Sequence, residues 1–295
     1  MSVIGIMVIA TALSAPSSGV PTERIGVCSW SFGMPLQETA NAMELVGVKN
    51  IQLALGPFIS PDGRHGGAED DASLSFVKDK IASGEWRLVS TMIATVGEDY
   101  STLESIRKTG GIVPDEHWNQ NKSIITAGAK LTRELGAKLM SLHAGFLDEN
   151  DAAALEKLIE RVTWIRDETA KYGVQVMLET GQESADELAK FLDKVPGVMV
   201  NFDPANMVLY GKGRPIEALD KLYPRIMQVH IKDAVSTRVP GTWGTEVPWG
   251  EGEVGGQDFI SALEKRGYSG YYVIERENGT SRAKDMQLAK ERISK

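Results

Sequence analysis

Eight short apolar runs recur along the chain, and longer amphipathic stretches separate them. They are IGVCSW from Ile25, NIQLAL from Asn50, RLVSTMIA from Arg87, KLMSLHAG from Lys138, VQVMLETG from Val174, VMVNFDP from Val198, IMQVHIKD from Ile226 and YYVIERE from Tyr271. Each is rich in Val, Ile, Leu and Met, as strands buried on both faces of a parallel sheet are. The stretches between them read as helices. Residues 122–135 carry Ile124, Ile125, Ala127, Leu131 and Leu135 at near-helical spacing and stop at Gly136; 152–172 stops at Gly173 and 258–266 at Gly267. Glycine just past a helix accepts the left-handed conformation that ends it. Eight strand–helix alternations predict a parallel sheet closed on itself, a single (β/α)8 barrel. A length of 295 residues with 42% hydrophobic content suits one such domain.

The barrel is expected over residues 24–295, after an N-terminal extension over 1–23. Within the extension an apolar run at 3–15, VIGIMVIATALSA, precedes PSSGVP. A transmembrane helix needs about 20 apolar residues, so this run is too short to span, and no membrane partner is expected. It resembles the apolar core of a secretory signal, with Leu13-Ser14-Ala15 as a crude cleavage site, but no Lys or Arg precedes it and Pro16 would follow the cut. The reading preferred here is an uncleaved extension of a cytoplasmic protein. The single cysteine, Cys28, excludes an intrachain disulfide and suits a reducing compartment. A net charge of -8 argues against a nucleic-acid partner, which needs clustered Lys and Arg.

Three strand-to-helix connections are long, at 56–68, 95–120 and 234–256. In a barrel they fall on the C-terminal face, where active sites are built. Polar residues end several apolar runs on that same face: His143, Glu179, Asp203, His230 and Glu275. Three carboxylates and two imidazoles converging on one pocket would repel or stay protonated, and a bound dication removes both problems. Three carboxylates with one imidazole form a mostly hard donor set. It suits Mn²⁺ first, with Mg²⁺ and Co²⁺ also fitting, and Zn²⁺ sharing the same ligand types.

The segments LHAGF, LETGQE, NFDPANMVLYG, VHIKDA, PWGEGEV and VIERE resemble the sugar phosphate isomerase/epimerase superfamily, the xylose-isomerase-like barrels. That group includes ketose 3-epimerases, inosose dehydratase and hydroxypyruvate isomerase. The resemblance runs over residues 25–294 and rests on Glu, Asp, His and Glu in that order on the last four runs. It implies that Glu179, Asp203, His230 and Glu275 hold one divalent metal. It further implies that the metal polarises a carbonyl and stabilises an enediolate, while Glu179 and Glu275 flank the reacting carbon as proton donor and acceptor. Isomerisation or epimerisation of a small carbohydrate would follow. Loss of a β-leaving group would make the same site a lyase, an inosose-type dehydratase or a 3-keto-glycoside eliminase. By analogy with the family, a homo-oligomer is also expected. The chain departs from the pattern at Gln52, where a Glu is usual, at Asn206, where ketose 3-epimerases carry His, and at Ser236, where they carry Arg with Arg238 nearby here.

Six further residues are expected to face substrate: His143, Asn206, Lys232, Asp233, Gln182 and Trp243. Glu183, Trp30 and Trp249 are weaker candidates. Each has a plainer alternative: a structural histidine, a mutual Lys232–Asp233 pair or loop anchor, packing tryptophans, and a core Cys28. Two other function classes are weighed. An endonuclease-IV-like phosphodiesterase needs more histidines than the four present and a basic face. A non-catalytic sugar-binding barrel would bind ligand without exchanging protons with solvent.

Overall fold

The computed structural model describes residues 19–60, 62–63 and 71–295; the apolar run at 3–15 and part of the 56–68 connection lie outside them. Every apolar run forms a strand of one closed barrel. The strands are β1 (Ile25–Cys28), β2 (Asn50–Ala54), β3 (Arg87–Met92), β4 (Leu139–Leu142), β5 (Gln175–Glu179), β6 (Met199–Phe202), β7 (Ile226–Ile231) and, last in the chain, β10 (Tyr271–Ile274). Neighbours run in the order β1-β10-β7-β6-β5-β4-β3-β2, and all pairs are parallel. A closed parallel barrel has no edge strand to protect.

Helices pack around the outside. Val, Ile, Leu and Phe side chains such as Ile25, Leu53, Ile125, Val162, Leu219 and Phe259 are buried in one continuous apolar cluster. Removing that surface from water is the main driving force for the fold. The interior of the barrel is different. Gln52, Ser90, Ser141, Asn201 and Gln228 are all fully buried, where branched aliphatic side chains are the usual filling. They satisfy one another. Gln228 Nε2 donates to Gln52 Oε1 at 2.9 Å and to Asn201 Oδ1 at 3.1 Å, Ser90 Oγ donates to Gln228 Oε1 at 2.6 Å, and Gln52 Nε2 donates to Ser141 Oγ at 2.9 Å. A connected polar layer of this kind rigidifies its members.

Two of the long connections hold structure that the pattern of the sequence does not reveal. Within 95–120 lies a helix, Leu103–Thr109, closed by a reciprocal Thr102–Ser105 cap. At this length a helix shows too little periodicity to be read. The following helix is Asp115–Glu134 rather than 122–135. Its polar first turns are held by Trp118, which meets Trp164 edge-on at 5.5 Å and lies under the Arg161 guanidinium at 5.0 Å. His117 lies on this helix, half-buried. Within 234–256 an antiparallel hairpin forms from β8 (Asp233–Val235) and β9 (Thr245–Val247), which leans over the barrel mouth. Among the described residues, no helix is long and apolar enough to cross a membrane. Residues ahead of the expected barrel start are already packed: Val20 is buried and its N–H donates to Ile293 O at 2.8 Å.

Asp233 is a loop anchor, which corrects its expected role in substrate binding. Its Oδ1 accepts from the N–H groups of Ala234 at 2.9 Å and Val254 at 3.1 Å, and its Oδ2 from Gly250 at 2.8 Å and Gly252 at 3.1 Å. Both oxygens are engaged with the loop that returns from the hairpin, and none is left for a ligand. Gly252 must be glycine here, because a Cβ would lie 2.2 Å from Asp233 Oδ1. Asp233→Ala should cost about 3 kcal/mol, since it leaves several buried N–H donors unpaired. Urea denaturation of wild type and variant measures this; an unchanged midpoint would contradict the anchoring role.

Candidate metal centre

The site is assembled from the ends of four adjacent strands. Glu179 is the last residue of β5, Asp203 follows β6, His230 lies near the end of β7, and Glu275 follows β10. The barrel order makes these strands neighbours. Side chains two apart on a strand share a face, so Asn201 and Gln228 point inward below Asp203 and His230. Asp203 also starts the helix Pro204–Leu209, where its Oδ1 accepts from Asn206 N at 3.0 Å.

Around His230 Nδ1 stand three carboxylate oxygens: Glu275 Oε2 at 3.1 Å, Glu179 Oε1 at 3.6 Å and Asp203 Oδ2 at 3.7 Å. One donor atom from each of the four residues lies within 4.8 Å of all the others. Oxygen and nitrogen donors held about 2.1 Å from one ion would be separated by about 3.0–4.2 Å, so the cluster has the size of a coordination shell. Its polarity fits as well. His230 Nδ1, Asp203 Oδ2 and Glu275 Oε2 are buried and have no hydrogen-bond partner. Orphaned buried polar atoms are costly and call for a compensating group.

The remaining atoms of these side chains are firmly held. His230 Nε2 lies 2.8 Å from Gln52 Oε1 and 3.0 Å from Asn201 Nδ2, so this side of the ring is held by the barrel's polar layer and Nδ1 is the nitrogen that faces the carboxylates. Asn201 Nδ2 donates to Glu179 Oε2 at 3.0 Å, Asn206 Nδ2 to Glu179 Oε1 at 3.3 Å, and Trp30 Nε1 to Glu275 Oε1 at 2.7 Å. Cys28 lies on the opposite side of the imidazole, its Sγ 3.7 Å from Nε2. Burial pushes its thiol up to about 12, so it stays protonated and is a poor ligand.

Charge balance explains why the carboxylates remain ionised. Burial pushes Glu179 up, but His230 and His143 outweigh it and the carboxyl ends below its usual range. Glu275 is likewise raised by burial and brought below its usual range by Lys232 and His230, and Asp203 by Lys232 and His230. His230 responds in reverse: burial lowers it, and the surrounding carboxylates hold it well above 6.5. The cluster thus requires a cation at Nδ1, either a proton or a metal ion.

The mouth above the cluster is a cleft of about 970 Å³. Of the residues expected to face substrate, His143, Asn206, Lys232 and Trp243 line it. His143 Nε2 lies 3.6 Å from Glu179 Oε1, and its Nδ1 has no partner. Lys232 Nζ reaches Glu277 at 2.6 Å, Glu275 at 3.2 Å and Asp203 at 3.6 Å, not Asp233. Trp243 meets Tyr210 edge-on at 4.8 Å. Gln182 is buried outside the cleft lining, its amide without a hydrogen-bond partner. Trp249 is buried against Phe259 at 6.3 Å and packs the loop instead of the cleft. Sequence reasoning missed Glu98, Tyr100, Tyr210, Glu246 and Glu277, which also line it. Glu277 had a signal, since it lies two residues beyond Glu275; the others sit in irregular connections. A separate open groove of about 690 Å³ runs along the helix Asp115–Glu134, and among the described residues it gathers no metal-ligating cluster.

A family model described as the xylose isomerase-like TIM barrel matches residues 99–294. The chain belongs to the xylose isomerase-like TIM barrel family. Within this family it is similar to the provisionally named L-ribulose-5-phosphate 3-epimerase SgbU of Escherichia coli, with 28% identity over 70% of this chain and 76% of that protein. It is also similar to inosose dehydratase 1 of Bacillus cereus, with 27% identity over 37% of this chain and 41% of that protein. A crystal structure of a xylose isomerase domain protein from Planctomyces limnophilus superposes with a TM-score of 0.77 and 29% identity, covering 90% of this chain and 93% of that one. These relatives place the barrel in an enzyme superfamily of epimerases, isomerases and dehydratases.

Glu183, four residues beyond the end of β5 and buried outside the cleft lining, offers a test of burial. Burial pushes its carboxyl up to about 7, only partly offset by His143 and Lys212. The folded protein therefore holds a proton that the unfolded chain releases near 4.5. Stability from this group is present at low pH and lost as pH rises through about 7. Glu183→Gln should raise stability at pH 8 by on the order of 3 kcal/mol and change it little near pH 5. Denaturation curves at the two pH values check this, and an equal effect at both would contradict it.

Proposed function

We propose that this barrel is a divalent-metal-dependent sugar isomerase or epimerase, with Glu179, Asp203, His230 and Glu275 holding the metal. The observation that carries the reading is the set of orphaned donor atoms on His230, Asp203 and Glu275, converging at coordination distances. Mn²⁺ is the metal preferred on the hardness of the donors. When bound, the ion supplies Lewis-acid polarisation of a substrate carbonyl and neutralises developing negative charge.

The protein's own groups account for the proton transfer. Glu179 and Glu275 are ionised at neutral pH, as an acceptor of the proton next to a carbonyl must be. Their positions are fixed by Asn201 and Asn206 for Glu179 and by Trp30 for Glu275. Fixed placement holds the carboxylate oxygens ready for the substrate carbon. One carboxylate takes the proton and the other returns it. Lys232 stays an ammonium, because the surrounding carboxylates outweigh the effect of burial, and it keeps Glu275 and Asp203 ionised. His143, with its free Nδ1, is placed to bond a substrate hydroxyl. The relationship to an inosose dehydratase favours a second reading, in which the same proton abstraction ends in loss of water.

Two predictions follow from the ligand set and the proton-transfer roles. Titration calorimetry with Mn²⁺ should give one site, and His230→Ala should weaken binding by at least about 100-fold, since the imidazole is the sole nitrogen donor. Because the ion displaces a proton from His230, whose affinity for it is well above the ordinary histidine range, binding should strengthen as pH rises from 6 to 8. Affinity independent of pH, or unchanged in His230→Ala, would sink the assignment. In D₂O, deuterium should enter next to the carbonyl of a ketose without loss of the carbon skeleton. Glu179→Gln and Glu275→Gln should each slow this by about 10²–10⁴-fold. Elimination of water from an inosose, with no exchange in ketoses, would move the assignment to a lyase.

A further inference from the structure

The charges around the cleft indicate what its ligand lacks. Five glutamates line it: Glu98, Glu179, Glu246, Glu275 and Glu277. Among the described lining residues only Lys232 and Arg276 carry a fixed positive charge, and both are engaged. Lys232 is shared among Glu277, Glu275 and Asp203. The Arg276 guanidinium donates to Glu246 at 2.7 Å and to Asp285 at 2.9 Å. Recognition of a phosphate needs free guanidinium or ammonium donors, or a concave set of backbone N–H groups.

Such a set of N–H groups does exist beside the cleft, and the protein fills it. After β10 the chain turns so that Glu277 N–H, Asn278 N–H and the Asn278 amide all point at one spot, next to Arg276. The carboxylate of Glu246, carried there by β9, occupies it. Glu246 accepts from Glu277 N at 3.1 Å, Asn278 N at 3.3 Å, Asn278 Nδ2 at 3.4 Å and Arg276 Nη1 at 2.7 Å. In barrels of this architecture the loops after the last two strands are a recurrent place for a phosphate group. Here the strand-seven connection delivers an internal anion to the donors of the final connection.

We propose that Glu246 is a specificity-determining residue that occupies an anion cradle, and that the cleft accordingly takes an uncharged sugar or glycoside and rejects a sugar phosphate. This rests on the proton-transfer reading above only for the choice of a carbohydrate. A phosphate entering beside Glu246 would meet a buried carboxylate whose donors are taken, together with Glu98 and Glu277, the two further lining glutamates outside the proposed metal set. Uncharged hydroxyls face no such repulsion and can bond the same carboxylates. The aromatic faces of Trp30, Tyr210 and Trp243 on the cleft wall suit the apolar side of a sugar ring.

The test uses the Mn²⁺-loaded full chain and measures binding, by calorimetry and ligand-observed NMR, of ribulose and ribulose 5-phosphate, of fructose and fructose 6-phosphate, and of a methyl glucoside and its 6-phosphate. Each uncharged ligand should bind at least about tenfold tighter than its phosphate in the wild type. Glu246→Gln, which keeps the size of the side chain and removes its charge, should move that ratio toward the phosphate by about tenfold. Glu246→Ala, with folding checked by circular dichroism, should move it further. Tighter binding of the phosphates by wild type would overturn the proposal. So would a ratio unchanged in both folded variants, or failure of the wild type to bind any ligand of either kind. Binding of the uncharged ligands without deuterium exchange would leave this proposal standing and count against the proton-transfer reading instead.

Discussion

Everything at the C-terminal end of this barrel depends on burying three carboxylates around one imidazole. Glu179, Asp203 and Glu275 are each nearly inaccessible to water, and His230 is fully so. Ionised groups in such a place are tolerated only with paired charge and satisfied hydrogen bonds. Lys232 supplies one positive charge, and the imidazole supplies another if protonated. Asp203 Oδ2 and Glu275 Oε2 make no hydrogen bond and share the single Lys232 ammonium, at 3.6 and 3.2 Å. The proposed metal ion would supply the missing positive charge, and the neighbouring groups would be its supports. Gln52 and Asn201 both lie against His230 Nε2, Asn201 Nδ2 donates to Glu179, and Trp30 pins Glu275. The polar layer inside the barrel continues this support downward through Gln228, Ser90 and Ser141.

The barrel was legible in the sequence because its strands are buried on both faces and so appear as continuous apolar runs. The four converging residues were legible for the same reason: a charged residue that ends an apolar run stands out. The polar layer was harder to see. Asn201, Gln228 and Ser141 lie two positions before Asp203, His230 and His143, so strand alternation could have revealed them as inward-facing, but isolated polar residues inside an apolar run read as interruptions. Asp233 shows a different limit. Its neighbours in sequence suggest a place at the mouth, yet its carboxylate turns away to bind the N–H groups of residues 250–254, a choice made by tertiary contacts alone. Glu246 lies in a connection without periodicity, and only the folded hairpin brings it to Arg276 and Asn278.

The two layers of the site divide the chemistry. In the proposed mechanism the strand ends carry the residues that hold charge and move protons, and rigid placement is what such residues need. The connections carry much of the cleft wall, and in the proposed reading they decide which molecule fits. The hairpin of β8 and β9 brings Trp243 and Glu246 to the cleft, Asp233 fastens its return, and the 95–120 connection contributes Glu98 and Tyr100. Relatives of this chain bear different activity names, an L-ribulose-5-phosphate 3-epimerase and an inosose dehydratase, as one fold with varied connections allows.

The most direct measurement is a crystal structure of the protein grown with Mn²⁺, with anomalous data collected at the manganese edge. The account predicts one strong peak at the mouth, about 2.1–2.3 Å from His230 Nδ1 and from oxygens of Glu179, Asp203 and Glu275. A saturated crystal with no peak there, or with the ion held by other residues, would contradict it.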